Sequence, residues 1–360
     1  MQLIGGARDA VLGFAVADII RRAQGTALDL IGLGPSESGY HIVASSPAWR
    51  LRSYFGSGDG PTVLIVSAPI KRPYIWDLAP TMSAVRLCTR QGVRVFLLEW
   101  KPPENAEHGR DLDQFADDIG KVVACVTAEI GGSRPFLIGH SLGGTLAAIY
   151  AALESESIQG LVLLGSPLCF RPGTSRFGDS LVALAPVGLT ESELIPGALL
   201  SQLSALASPE EFVWARSIDA ALSLADPRTA ELHTRIERWA LDEVSLSGKL
   251  VGQILQWLYR EDRLCRGLLT VRGKPLGPSC LRSPTLAVVN TADRIVPPES
   301  ITHFLDAMPP GNAQLLLYSG DIGVCLQHLA VLVGRQAHAR IWPAIISWMN
   351  ERHATRRAKA

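Results

Sequence analysis

The sequence predicts an α/β fold: one mostly parallel sheet with helices on both faces, interrupted by a mainly helical insertion. Three observations point there. Continuously apolar runs alternate with helical ones from about residue 51 to 166. The alternation stops over 167–280, where Leu-, Ala- and Ser-rich helical and loop sequence takes over. It resumes at 281 and ends in a helix near 352. A run apolar at every position needs cover on both faces, which parallel strands with crossover helices provide.

The elements follow in order. Residues 1–50 read as a helical N-terminal segment. Its apolar stretch, 10–20, is broken by Asp18 and followed by Arg21 and Arg22. That pattern fits a short amphipathic helix on the body, with a surface anchor as the alternative. Strands are expected at 61–68, 93–98, 134–139 and 160–165, and helices at 77–91, 112–130 and 143–154. After the insertion, strands are expected at 284–290 and 314–318, and the last helix at 337–352. The core is thus 51–166 plus 281–352, and 167–280 is a cap. Residues 353–360 read as a flexible basic tail.

Composition narrows the function. Of 360 residues, 47% are apolar, enough for a large core. The formal net charge is zero, so no global field draws the chain to nucleic acid or to anionic lipid. No apolar run reaches the ~18 residues of a spanning helix. Six cysteines occur, none in a C-x-x-C pair or in a Cys/His cluster of zinc spacing. That usage reads as a reduced, cytoplasmic chain of free thiols. No metal, organic cofactor or phosphate-binding glycine loop is implied.

The chemistry centres on Gly139-His140-Ser141-Leu142-Gly143, a G-x-S-x-G run between an apolar strand and an Ala-rich helix. In the α/β-hydrolase fold this run is a tight strand-to-helix turn that exposes a serine nucleophile. Small residues two positions either side relieve the crowding. The Leu142 N–H at the helix start is the first oxyanion donor. The second is expected from the loop after the first core strand, where Pro69 has no N–H and Ile70 does.

A serine hydroxyl needs a base, and the base an orienting carboxylate, in the chain order Ser, Asp, His. Asp293 follows the strand at 284–290, in the ligand-facing loops of a parallel sheet. Of eight histidines, His328 alone lies in the loop between the last strand and the last helix.

Beyond these residues the chain resembles the polyhydroxyalkanoate synthase-like branch of the α/β-hydrolases. The resemblance runs from about 62 to 350. It rests on Ala68-Pro69-Ile70-Lys71-Arg72-Pro73-Tyr74-Ile75-Trp76-Asp77-Leu78, on Gly92–Trp100 with Pro102, on Leu258–Leu264 with Gly273–Leu276, and on Asp293-Arg294-Ile295-Val296-Pro297. It implies a hydroxyacyl, polyester or acyl-CoA substrate, with a homodimer or a granule surface as partner. Two features depart from it. The polymerising members carry cysteine where Ser141 stands, and a serine ester is discharged more readily to water. Gly320-Asp321-Ile322-Gly323-Val324 looks like the family's histidine motif with aspartate in the histidine's place. A second register, at His328-Leu329-Ala330-Val331, joins the last helix without a gap, so His328 is taken as the base after a loop insertion. The first register would leave an impaired or silent relative. The expectation is a serine esterase or thioesterase, with acyl transfer to a polymer as the alternative.

Overall fold

The computed structural model describes residues 2–54, 56, 60–103, 109–185 and 194–357. Eight strands form its central sheet: β1 (Tyr40–Ser45), β2 (Trp49–Tyr54), β3 (Thr62–Val66), β4 (Arg94–Trp100), β5 (Phe136–His140), β6 (Gly160–Leu164), β7 (Thr285–Asn290) and β8 (Ala313–Tyr318). Their spatial order is β1-β2-β4-β3-β5-β6-β7-β8. From β4 onward every pairing is parallel; β1 with β2 and β2 with β4 are antiparallel. The inner strands β3, β5, β6 and β7 are buried at every residue, as their unbroken apolar runs predict. The edge strands β1 and β8 are half exposed.

The helices are α1 (Gln2–Leu30), α2 (Ala84–Arg90), α3 (Leu112–Glu129), α4 (Leu142–Leu153), α5 (Arg176–Leu184), α6 (Gly197–Ala207), α7 (Arg216–Ser223), α8 (Pro227–Ala240), α9 (Gly248–Gln253), α10 (Glu299–Asp306), α11 (Ala330–Val333) and α12 (Trp342–Arg357). One face of the sheet packs on α3, α4 and α10; the other packs on α2, α11 and α12. α3 shows why such helices form. Phe115, Ile119, Val122 and Val126 recur at helical spacing and are buried. Asp111 and Gln114 close a capping box at its start.

Between β6 and β7 the chain runs through α5 to α9, the helical insertion. The loop after β3 touches it directly: Lys71 forms an antiparallel bridge with Glu243, and Val244 N–H donates to the Ile70 carbonyl.

Four expectations need correction. The sheet begins at Tyr40, inside the stretch 1–50 read as helical and separate from the core. β1 hides from sequence pattern because this edge strand is half exposed and its burial does not strictly alternate. The helix expected over 77–91 starts only at Ala84, because Pro80 interrupts it and Ser83 caps it, accepting from Arg86 N–H at 2.8 Å. The stretch before it forms a two-stranded turn, with the buried Asp77 carboxylate accepting from Ser38 and Ser83. α1 is far longer than the 10–20 core read from sequence. It lies on the insertion, with Asp18 accepting from Ala198 N–H and Arg21 donating to Glu243. The last helix continues to Arg357, past 352 and into the expected tail; residues 358–360 lie outside the described residues.

The cysteines differ too. Cys169 and Cys265, 96 residues apart, are joined as a disulfide. Cys88, Cys125, Cys280 and Cys325 are free. Spacing along the chain carried no sign of this pair, because a disulfide needs only spatial proximity. Cysteine usage therefore no longer argues for a reducing compartment. Among the described residues no helix is long and apolar enough to cross a membrane.

Phe304 on α10 is fully buried against the sheet. Phe304→Ala should destabilise the fold by about 3–5 kcal/mol, read as a lowered midpoint in urea unfolding.

Candidate active site

Ser141 stands at the turn from β5 into α4 with φ 54° and ψ −133°. A non-glycine residue in that region is strained, and strain persists only where its surroundings dictate it. The glycines dictate it here. A Cβ on Gly139 would lie 2.4 Å from the Gly144 Cα, one on Gly143 would lie 2.4 Å from the Val66 carbonyl oxygen, and one on Gly144 would lie 1.9 Å from the Ser166 Oγ. No side chain fits at any of the three, so strand and helix approach closely and the serine is thrust out at the bend. The turn is tied down by Ser141 N–H donating to the Leu164 carbonyl at 3.1 Å and by Thr145 Oγ1 donating to the Pro167 carbonyl at 2.8 Å.

Asp293 and His328 meet. His328 Nδ1 lies 2.7 Å from Asp293 Oδ2, and both side chains are nearly buried. The other carboxylate oxygen of Asp293 accepts from the backbone N–H groups of Ile295 and Val296 at 2.9 and 3.0 Å. Asp293 is therefore placed to accept a hydrogen bond from Nδ1–H, which leaves Nε2 as the imidazole's basic nitrogen. The loop before His328 is fixed by Asn290, whose amide donates to the Gln327 carbonyl at 2.8 Å. Asp321, the residue of the alternative register, is engaged elsewhere: its carboxylate accepts from the Ile322 and Gln336 backbone N–H groups.

Sequence reasoning set His140 aside as the variable position of the motif. In the fold its ring stacks on that of His328, centroids 4.6 Å apart, and its Nε2 meets the His328 carbonyl at 2.8 Å. Burial pushes its pKa down to about 3, so the ring is neutral and Nε2–H is the donor. His140 thus braces the histidine that follows in the chain by 188 residues.

Ser141, Leu142, Ile70 and His328 all line one cavity of about 290 Å³. Most of its wall is apolar and comes from the insertion, including Phe177, Leu199, Leu203, Phe212 and Leu255. Leu142 opens α4, so its N–H has no carbonyl one turn earlier to bind. One polar spot interrupts the wall. Lys71 Nζ donates to Glu243 at 2.8 Å and to the Ala240 carbonyl at 2.7 Å, and Ser201 also donates to Glu243. No local motif marks Lys71 and Glu243, which lie 172 residues apart.

A family model described as the alpha/beta hydrolase fold matches residues 76–320. The chain belongs to the α/β-hydrolase fold family. Within that family it is similar to the poly(3-hydroxyalkanoate) polymerase branch. It is 29% identical to a poly(3-hydroxyalkanoate) polymerase subunit of Haloferax mediterranei, over 81% of this chain and 59% of that one. It is 24% identical to the corresponding subunit of Allochromatium vinosum, over 81% of each. The chain spans about three fifths of the length of its haloarchaeal relatives, 59% and 61%. Among solved structures, a candidate lipase from Sulfolobus solfataricus superimposes with a TM-score of 0.53 at 16% identity, covering 87% of this chain and 99% of its own. At that identity this α/β-hydrolase shares a fold with it and no more.

Burial pushes the Lys71 ammonium down to about 8, against an ordinary 10.5. Below pH 8 the folded and unfolded chains both hold this proton, and the cost of burying the charge is felt in full. Between 8 and 10.5 the unfolded chain binds more protons, so this group makes stability rise with pH. Urea midpoints across that window should therefore rise in the wild type relative to Lys71→Met.

Proposed function

We propose that this α/β-hydrolase is a serine acyl hydrolase acting on esters or thioesters of extended acyl chains. The observation that carries the reading is the buried Asp293–His328 pair opening onto the same apolar cavity as the strained Ser141. In this reading His328 Nε2 takes the Ser141 proton as Oγ attacks the carbonyl, then passes it to the leaving group. Asp293 fixes the imidazole tautomer and offsets the charge it gains. The N–H groups of Leu142 and Ile70 receive the tetrahedral oxyanion. Water, activated by the same imidazole, releases the acid. The apolar wall suits an acyl chain, and the expected hydroxyacyl, polyester or acyl-CoA substrates all present one.

Acyl transfer to a growing polyester is the second reading, favoured by the polymerase subunits among the relatives. It differs only in what discharges the acyl-serine: a chain-end hydroxyl in place of water. A silent binding relative is disfavoured, because its main support was the register of Asp321, and that carboxylate is spent on local backbone.

A fluorophosphonate probe should add one label to the wild type and none to Ser141→Ala, by intact mass. Ser141→Ala and His328→Ala should each lower kcat on an activated acyl ester by about 10⁴-fold or more, and Asp293→Asn by a similar order. An unlabelled, folded wild type would overturn the triad.

Incubation with 3-hydroxybutyryl-CoA separates the two readings. Free 3-hydroxybutyrate is expected in one-to-one ratio with released thiol. Thiol release accompanied by insoluble polyester would establish the transferase instead.

A further inference from the structure

The loop that brings in His328 is fastened to the insertion by three side chains of different chemistry. Asp219 lies on α7, His233 on α8, and Cys325 three residues before His328. Asp219 Oδ2 lies 2.9 Å from His233 Nδ1, and that nitrogen lies 3.4 Å from Cys325 Sγ. One ligand-type atom from each residue falls within 4.8 Å of the others. None of the three lines the cavity that holds Ser141.

We propose that Asp219, His233 and Cys325 form a binding site for one zinc ion at the seam between the insertion and the base loop. Carboxylate, imidazole and thiolate together are a zinc donor set. Two of the three ligand spacings are compatible with the ion. With bonds of ~2.0 Å to nitrogen and ~2.3 Å to sulfur, the 3.4 Å Nδ1–Sγ separation subtends an angle of about 104° at the metal. With two bonds of ~2.0 Å, the 2.9 Å Nδ1–Oδ2 separation subtends about 93°. Small outward shifts bring both to tetrahedral values. The charges balance, since a thiolate and a carboxylate offset a divalent cation where a lone cation would be costly to bury.

Groups around the ligands hold them in metal-binding orientation. Glu237 Oε1 faces His233 Nε2 at 3.5 Å, so Nδ1 is directed to the metal and the Nε2 proton to a carboxylate. Arg216 pairs with Glu237 and keeps it in place. Asp219 is oriented by the backbone N–H groups of Gly323 at 2.8 Å and Cys325 at 2.9 Å. Cys325 has φ 60°, a region costly for any residue with a Cβ, yet this position carries a thiol and not glycine. The ligands stand 14 and 92 residues apart, so the zinc spacing sought in the sequence could not reveal them.

Cobalt(II) in place of zinc reads the site directly, independently of any acyl chemistry. The metal-stripped full chain should take up one cobalt with a thiolate-to-cobalt charge-transfer band. Zinc should displace it and raise the melting temperature. Cys325→Ser should lose the band, and Asp219→Asn should weaken zinc binding at least tenfold, both with an unchanged circular dichroism spectrum. If Cys325→Ser does not fold, X-ray absorption of the zinc-loaded wild type decides, and a shell with one sulfur is expected. No stoichiometric uptake by the wild type, an equal band in Cys325→Ser, or a sulfur-free shell would overturn the site and leave a hydrogen-bonded clasp.

Discussion

A single backbone constraint organises the molecule: Ser141 sits at a positive φ between a buried strand and the first turn of a helix. The conformation is unfavourable in isolation, so everything around it must be arranged to hold it. Three glycines let β5, α4 and the ends of the flanking strands close to distances that no side chain would allow. The sheet order then sets which loops meet the bend. β3 and β6 flank β5, which brings the turns after both strands to the serine. β7 and β8 lie beyond, and the loops after them deliver Asp293 and His328.

The insertion is joined to that site by polar contacts as well as by burial. Lys71 follows Ile70 in the loop after β3 and donates to Glu243 beyond α8. Asp219 on α7 accepts from two backbone N–H groups of the loop before His328. Displacement of the insertion therefore cannot leave either loop untouched. These few bonds tie the insertion to the loops that carry Ile70 and His328. A buried charged pair is weak as a source of stability, but it fixes relative position well, since removing one partner strands the other.

The core and the candidate site residues were legible because both obey local rules. Inner strands such as β3 and β6 are apolar at every position, and G-x-S-x-G sits where a strand becomes a helix. Chain order and loop position singled out Asp293 and His328, and the fold brings those two into contact. What stayed hidden depends on partners distant in the chain. β1 alternates imperfectly because it forms an edge. The helix expected at 77 yields to Pro80 and to the Ser83 cap, both local signals present in the sequence. His140 looked like filler in a motif, and only the fold puts its ring on His328. Lys71 with Glu243, and Cys169 with Cys265, are pairings that no spacing rule can reach.

The cystine between Cys169 and Cys265 carries a topological consequence. Cys169 follows the exit of β6, and Cys265 lies just before the short hairpin that leads back to the sheet. The bond closes most of the insertion into a covalent ring hung from the hydrolase core. A single proteolytic cut between residues 170 and 264 would open that ring without parting the molecule. Both fragments would stay linked, with Ser141 on one and His328 on the other. Nicking and reduction together would leave Ser141 and His328 on two chains, whereas either alone keeps them on one covalent body.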